Sequence, residues 1–164
     1  MNHAKWLAVS AVLAAGAASG QQALVTERTL SLEAAQQAAA GALESCRKSG
    51  FNVTVTVLNK AGRTKMVMHD DKANPHTIEN SLRKAYTALT TRGPSGDVAK
   101  RIAANPGVQG LLLLQNMTSV EGALPIMAGG DVVGSIGVSG APGGDKDAVC
   151  AQAGIDRIKG SLGG

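Results

Sequence analysis

Apolar and polar positions follow two different periods along this chain, and each period predicts a different element. Apolar residues recur every three or four positions over Leu32–Cys46, which is the spacing of one helical face. Ser31 precedes this segment and Gly50 follows it, so we expect a helix that a serine caps and a glycine ends. Valines then alternate with polar residues over 53–57, which is typical of a half-buried strand.

The same alternation, interrupted by turn residues, predicts two hairpins. Asn59–Gly62 joins the valine strand to a second strand at Thr64–His69. Later in the chain, two apolar runs, Leu124–Met127 and Val132–Val138, flank Gly129–Asp131, whose residues tolerate positive φ. Connections this short require antiparallel pairing.

Start and stop signals predict three further helices. The first is Pro75–Thr91 with Asn74 as its cap, the second is Ser95–Ala104 capped by its own first residue, and the last is Asp145–Leu162. The apolar run Gln109–Gln115 is expected to be buried, but its periodicity does not distinguish a strand from a helix. The order of elements therefore predicts an α+β domain around an antiparallel sheet.

The first residues have the pattern of a secretory signal peptide. Lys5 precedes an apolar run of 13 residues, Trp6–Ala18, and small residues stand at the expected cleavage position. The run is shorter than the roughly 20 residues that a membrane-spanning helix needs. We therefore expect residues 1–20 to be a signal peptide, 21–28 a leader and 29–164 one domain. The protein would be periplasmic or secreted, without a stable membrane anchor after cleavage.

The net charge and the number of aromatic residues limit the kinds of ligand that the protein is expected to bind. The formal net charge is +4, it falls by one when Lys5 is removed, and no cluster of five or more Lys and Arg residues occurs. A nucleic-acid partner is therefore not expected. Once Trp6 is cleaved, Phe51 and Tyr86 are the remaining aromatic residues. A flat ligand would have to be held largely by aliphatic and methionine side chains.

Two sequence blocks carry a resemblance to a known family. They are VVGSIGVSGAPGGDKDAVCAQAGI, residues 132–155, and IENSLRKAYT, residues 78–87, with its Lys-Ala-x-Thr core. Both resemble the GlcG/HbpS-type haem-binding family, also described as haem-degrading, and the similarity covers nearly all of the chain after residue 28. The resemblance implies a profilin-like α/β/α sandwich around an antiparallel sheet of about five strands. It also implies that residues 109–115 lead into the sheet, that haem is the cofactor, and that the protein is a homo-oligomer.

The candidate site lies at the start of the second helix. His76 opens this helix, and Asn80, Arg83 and Thr87 continue along one helical face. Haem needs an iron ligand at one end and cationic or hydroxyl donors for its propionates at the other, and this stripe offers both. We therefore take His76 as the candidate metal ligand, with Asn80, Arg83, Thr87 and the loop residue Gly140 as the other cofactor-binding candidates. The alternative is that His76 and Arg83 are ordinary solvated surface residues.

Three further features each have two interpretations. The glycine-rich loop before the last helix resembles a phosphate cradle, but Asp145 and Asp147 in the first helical turn would satisfy the free amides and repel a phosphate. His69, beside two aspartates, forms either a small cation site or a hydrogen-bonded turn. Cys46 and Cys150 either pair, since the family's first and last helices pack near one another, or are two small core residues.

The leading functional hypothesis is an exported haem-binding protein for capture or storage. One alternative is a small-molecule lyase or haem-degrading enzyme that uses the same cleft, and another is a structural or sensory accessory domain. Catalytic residues are not assigned, because the chain has no Gly-x-Ser-x-Gly elbow and neither cysteine lies in an activating motif.

The signal-peptide hypothesis predicts the mass of the exported protein. If residues 1–20 are removed, the mature chain begins near Gln21 and contains no tryptophan, because Trp6 is the only one. Intact-mass spectrometry of the protein recovered from the periplasm or medium measures this directly. A recovered chain that retains residues 1–20 would contradict the cleavage and the compartment inferred from it.

Overall fold

A computed structural model describes residues 23–163, so the predicted signal peptide lies outside the described residues. The elements in chain order are α1 (Leu32–Lys48), β1 (Thr54–Asn59), β2 (Thr64–His69), α2 (His76–Thr91), α3 (Asp97–Ala104), a 3-10 helix (Pro106–Leu113), β3 (Ala123–Ala128), β4 (Asp131–Ser139), α4 (Gly144–Ile158) and a short 3-10 turn (Lys159–Ser161). The 3-10 helix Pro106–Leu113 is called the leucine helix below. Within residues 23–163, the longest apolar helical stretch falls short of what a membrane crossing requires.

The sheet has four antiparallel strands in the order β2-β1-β4-β3. Helix α2 packs on one face of the sheet, and the α1 and α4 pair packs on the other. The three-layer α+β arrangement and both predicted hairpins are thus confirmed. Each strand of the second hairpin is one residue longer at each end than predicted.

The expectation of about five strands is wrong, because residues 109–115 do not join the sheet. Most of this run belongs to the 3-10 helix Pro106–Leu113, which contains Pro106 and two glycines. The Asn105 side chain accepts a hydrogen bond from Gly107 N, which starts this tight helical turn. The run is not buried either, since Leu113 is 89% exposed. Apolar character alone was therefore a misleading guide to burial here.

The face of the sheet toward α1 and α4 carries the apolar core. Valines of β1 and β4 lie against a row of alanines on α1. Gly154 on α4 allows the two helices to approach closely, because a Cβ there would lie 2.5 Å from the carbonyl oxygen of Ala38. Cys46 and Cys150 are bonded across this contact, with their Cα atoms 5.5 Å apart. The open question about the two cysteines is thus resolved in favour of a disulfide.

Helix ends agree with the predictions only in part. Ser31 caps α1 by accepting a hydrogen bond from Ala34 N, as expected. Asn74 and Ser95 were expected to cap the next two helices, but the cap positions belong to Pro75 and Gly96. Ser95 instead donates to the carbonyl oxygen of Val120 and accepts from Ala123 N, so it holds the approach to β3.

The disulfide predicts a measurable dependence of stability on oxidation. It closes a loop of 104 residues, for which the chain-entropy model gives a contribution of up to about 4–5 kcal/mol. We expect the Cys46→Ala, Cys150→Ala double variant to unfold at a lower urea concentration than the oxidised wild type, and wild type under reductant to shift in the same direction. Two free thiols in denatured, unreduced wild type would contradict the bond.

Candidate functional site

A cleft of about 300 Å³ opens at the end of the sheet where α2 begins. It lies between the first two turns of α2, the end of β4 and the loop that leads into α4, and we call it the α2 cleft. Its walls include Asn74, His76, Thr77, Asn80, Lys84, Ser139, Gly140, Pro142 and Asp147. The glycine-rich loop therefore lines a ligand-sized space, and Gly140, one of the cofactor-binding candidates, is part of this lining.

Three of the predicted site residues meet in the α2 cleft. His76 is exposed at its rim, and Asn80 donates a hydrogen bond from Nδ2 to Ser139 Oγ at 2.9 Å, which joins α2 to β4. Gly140 has a φ of +134°, and a Cβ at this position would collide with the carbonyl oxygen of Asn52. Only glycine lets the loop turn here without strain.

The other two predicted residues lie outside the α2 cleft. Arg83 forms an ion pair with Glu79 at 2.7 Å, one turn earlier on the exposed side of α2. Thr87 is fully buried, and its hydroxyl accepts a hydrogen bond from Thr118 N at 2.9 Å. Thr87 therefore anchors the segment that follows the leucine helix. Of the predicted stripe on α2, only His76 and Asn80 line the cleft.

A buried ion pair forms the floor of the α2 cleft, and the sequence analysis missed it. Lys84 Nζ lies 2.7 Å from Asp147 Oδ2 and 3.0 Å from the carbonyl oxygen of Val138. The two side chains are 2% and 3% exposed. The available signal was helical spacing, because Lys84 follows Asn80 by four residues and shares its face more closely than Arg83 does.

Asp147 also fixes the glycine-rich loop. Its Oδ1 accepts a hydrogen bond from Ala141 N at 3.0 Å. The carboxylate therefore satisfies an amide of the loop rather than one at the start of its own helix, which corrects the expected role. Burial raises the pKa of the Asp147 carboxyl, and its hydrogen bond and charge interaction with Lys84 oppose that rise.

Gly122 is required for the ion pair to fit. Its φ is +130°, and a Cβ at this position would lie 2.7 Å from Lys84 Nζ. A side chain at position 122 would therefore displace the ammonium group as well as strain the backbone. The approach to β3 thus takes part in closing the floor of the cleft.

Hydroxyl groups, rather than apolar side chains, join the first half of α2 to the sheet. Thr54 Oγ1 lies 2.6 Å from Thr77 Oγ1, and Thr56 Oγ1 lies 2.7 Å from Ser81 Oγ. All four residues are buried. Because hydrogen bonds are directional, these contacts fix the rotation of α2 and hence the position of His76 at its start.

The hydroxyl contacts also determine which nitrogen of His69 carries a proton. Thr77 Oγ1 donates to the carbonyl oxygen of Asn74 at 2.6 Å, so it must accept from Thr54. The single proton of Thr54 is then used, and His69 Nδ1, 2.6 Å from Thr54 Oγ1, is the donor. These contacts favour the tautomer of His69 that carries its proton on Nδ1.

The surroundings of His69 form a hydrogen-bonded turn rather than a cation site. Asp70 Oδ1 accepts from Asp71 N, and the Asp70 carboxylate binds Arg47 of α1 through two bonds of 2.9 and 3.0 Å. This pairing lowers the pKa of Asp70. Residues 23–163 contain no group of three or more His, Cys, Asp or Glu side chains placed to hold a metal ion.

The chemistry that the α2 cleft offers is that of a binding site with one imidazole at its rim. Its buried lysine and aspartate carry opposite charges and use each other as partners. A metal that a macrocycle already holds needs only one or two axial ligands, so one histidine suffices for it, whereas a hydrated zinc ion normally takes three or more protein ligands.

Comparisons with known proteins show the family to which this sequence is similar. The sequence model of the family described as "Haem degrading protein HbpS-like" matches residues 30–156. Protein GlcG of Escherichia coli strain K12 is 28% identical over 114 residues, which are 70% of this chain and 84% of GlcG.

Solved structures share the fold. A crystal structure of HbpS is 37% identical, with a TM-score of 0.77, and the match covers 82% of this chain and 93% of that one. A crystal structure described as a PduOC–heme complex is 22% identical, with a TM-score of 0.72 and coverage of 79% and 95%. At that identity the second likeness concerns the fold alone.

The ion pair predicts an asymmetric effect of substitution. Lys84→Met leaves the Asp147 charge buried without its partner, so we expect the free energy of unfolding to fall by about 3–5 kcal/mol. Adding Asp147→Asn removes the charge but keeps an acceptor for Ala141 N, and should restore much of the loss. Urea denaturation followed by far-ultraviolet circular dichroism gives the three values.

An exposed lysine provides the control. Lys48 pairs with Glu44 on the surface of α1, so Lys48→Met should change stability by less than about 1 kcal/mol. Equal effects of Lys84→Met and Lys48→Met would contradict the importance of the buried pair.

Proposed function

The chain belongs to the HbpS-like family of haem-degrading proteins, and from this premise we propose that it is an exported protein that binds haem or a related tetrapyrrole, for capture or storage. The observation that carries the proposal is the family match over residues 30–156, which includes every residue that lines the α2 cleft. The signal-peptide pattern of the first 20 residues supports export.

The α2 cleft fits the iron-ligand end of a haem. His76 lies exposed at its rim, on a helix start that hydrogen bonds hold in place, and in the proposed complex it is the axial ligand. Asn80 and Gly140 border the same space. A volume of about 300 Å³ lies at the lower end of the range for ligand cavities, so the cleft would take one edge of the macrocycle and leave the rest near the surface.

Arg83 is the proposed partner of a haem propionate. Its present partner, Glu79, is 67% exposed, and exposed ion pairs contribute about 1 kcal/mol or less. The guanidinium could therefore exchange Glu79 for a propionate at small cost. Thr87 has no such freedom, because it is buried and its hydroxyl already accepts from Thr118 N.

Haem degradation is the second candidate function, and the family's description favours it. When bound, haem supplies a redox-active iron, and the protein would supply its axial ligand and exclude water from one edge of the ring. The two candidates differ in a simple observation: under reductant and oxygen, stored haem changes its spectrum only as its iron changes oxidation state and keeps its Soret absorbance, whereas degradation of the ring bleaches that absorbance.

We also propose that the protein forms a homo-oligomer. The leucine helix and the residue after it expose Leu113 at 89% and Leu114 at 56%, and clustered apolar surface of this kind is usually covered by a partner. Sedimentation of wild type and Leu113→Ser would show whether association depends on this segment.

Substitution of the histidines tests the site of haem binding. Haem titration of the purified protein should give a Soret band, and His76→Ala should change the ligand-sensitive part of the spectrum, because it removes the proposed axial imidazole. His69→Ala is the matched control, since His69 lies at the end of β2 and does not line the α2 cleft. Identical spectra for wild type and His76→Ala would exclude His76 as the ligand.

Arg83→Gln tests the other end of the haem. We expect it to weaken haem binding by about fivefold, the equivalent of one exposed ion pair, without moving the Soret maximum. The absence of any Soret band in wild type would argue against haem binding altogether.

A further inference from the structure

A second cavity, of about 410 Å³, lies at the opposite end of the sheet from the α2 cleft. Three segments converge on it: the turn between β1 and β2, the last turns of α2, and the turn between β3 and β4. We call it the turn cavity. It is larger than the α2 cleft, for which the corresponding volume is about 300 Å³, and the two have no lining residue in common.

One wall of the turn cavity is formed largely by apolar side chains. Tyr86 and Leu89 of α2 line it together with Met127 of the edge strand β3, whose side chain is 43% exposed. The Tyr86 ring lies against the β1–β2 turn at Gly62, where a Cβ would come within 3.3 Å of Cε2. A tyrosine ring held in this way, with a flexible thioether nearby, suits stacking against another planar ring.

The rim of the turn cavity carries Lys60, Arg92 and Asp131, and two of these three charged groups form no ion pair within the described part of the chain. Among residues 23–163, no ion pair includes Arg92 or Asp131. Lys60 has only Glu27 near it, at 3.6 Å, which is beyond a normal hydrogen bond. The lining residues therefore include two cations, Lys60 and Arg92, and one carboxylate, Asp131, while Glu27 lies beside Lys60 just outside the lining.

The polar groups of the α2 cleft and of the turn cavity differ in whether they are bonded to other groups of the protein. There, Lys84 and Asp147 use each other as partners, and Asn80 is bonded to Ser139. In the turn cavity, Lys60 and Arg92 keep donors available for a ligand. We propose that the turn cavity is a second ligand site, which binds a planar aromatic molecule carrying one carboxylate, with its ring on Tyr86 and its carboxylate between Lys60 and Arg92. This site is independent of the proposed haem site.

Tyr86 provides a specific reporter, because the chain contains one tyrosine. In the full-length protein labelled with 13C-tyrosine, the ring gives a single set of NMR signals. Addition of 1-naphthoate should shift these signals in a saturable way. The neutral analogue 1-naphthamide should bind about fivefold or more weakly, because it lacks the charge that the two cations recognise.

Charge-neutralising variants test the rim. The Lys60→Gln, Arg92→Gln double variant should bind 1-naphthoate about tenfold more weakly, while Arg63→Gln, in the same β1–β2 turn but not on the cavity wall, should bind it like wild type. Unshifted Tyr86 signals, equal affinity for acid and amide, or an unaffected double variant would each overturn the proposal.

A haem titration of the same double variant separates this inference from the proposed function. We expect haem binding to equal that of wild type, since the α2 cleft is unchanged. Loss of haem and 1-naphthoate binding together would place haem in the turn cavity and overturn the inference of a separate site. Failure of wild type to bind haem, with the Tyr86 shift intact, would reject the proposed function and leave the second site standing.

Discussion

The buried ion pair between Lys84 and Asp147 is the interaction on which the geometry of this protein's α2 cleft depends. It connects α2 to α4, and through Val138 and Ala141 it also fixes the end of β4 and the following loop. Removing two charges from water is costly, so such a pair is retained only where its hydrogen bonds are nearly complete. The cleft therefore has a rigid floor.

The two faces of the sheet are built by different physical means. The face toward α1 and α4 is apolar, and small residues such as Gly154 bring the helices close enough for the disulfide. The face toward the start of α2 is joined by paired hydroxyls, including Thr54 with Thr77. Apolar contacts tolerate small displacements, whereas hydrogen bonds define an orientation. The polar layer lies where a ligand-bearing helix start has to be held most precisely.

The proposed haem site lies at one end of the sheet, whereas the larger of the two cavities described above lies at the other. The α2 cleft offers an imidazole and a rigid floor, and the turn cavity offers an aromatic ring and two cationic side chains on its rim. These chemistries suit different ligands. If both proposals hold, one molecule would bind through its metal and another through charge and stacking, and the two would not compete for the same residues.

The sequence by itself determined the elements and their pairing, because these follow from local signals. The spacing of apolar residues predicted α1 and β1, and the glycines before Asp131 predicted the turn of the second hairpin. The family was also recognisable, since the loop before α4 must contain glycine at Gly140 for the chain to pass Asn52. The sequence also indicated His76, Asn80 and Gly140 as candidate site residues, and these three line one cleft.

Only the tertiary structure decided the partners of the polar residues. Lys84 and Asp147 are 63 positions apart, so no local pattern relates them. Arg83 and Lys84 follow Asn80 by three and four positions, and both of these spacings place a residue beside Asn80 on the helix surface. Burial of the leucine helix was likewise undecidable, because an apolar run is buried only if another surface covers it. Periodicity describes which side of an element is apolar, but the packing of distant segments decides what that side meets.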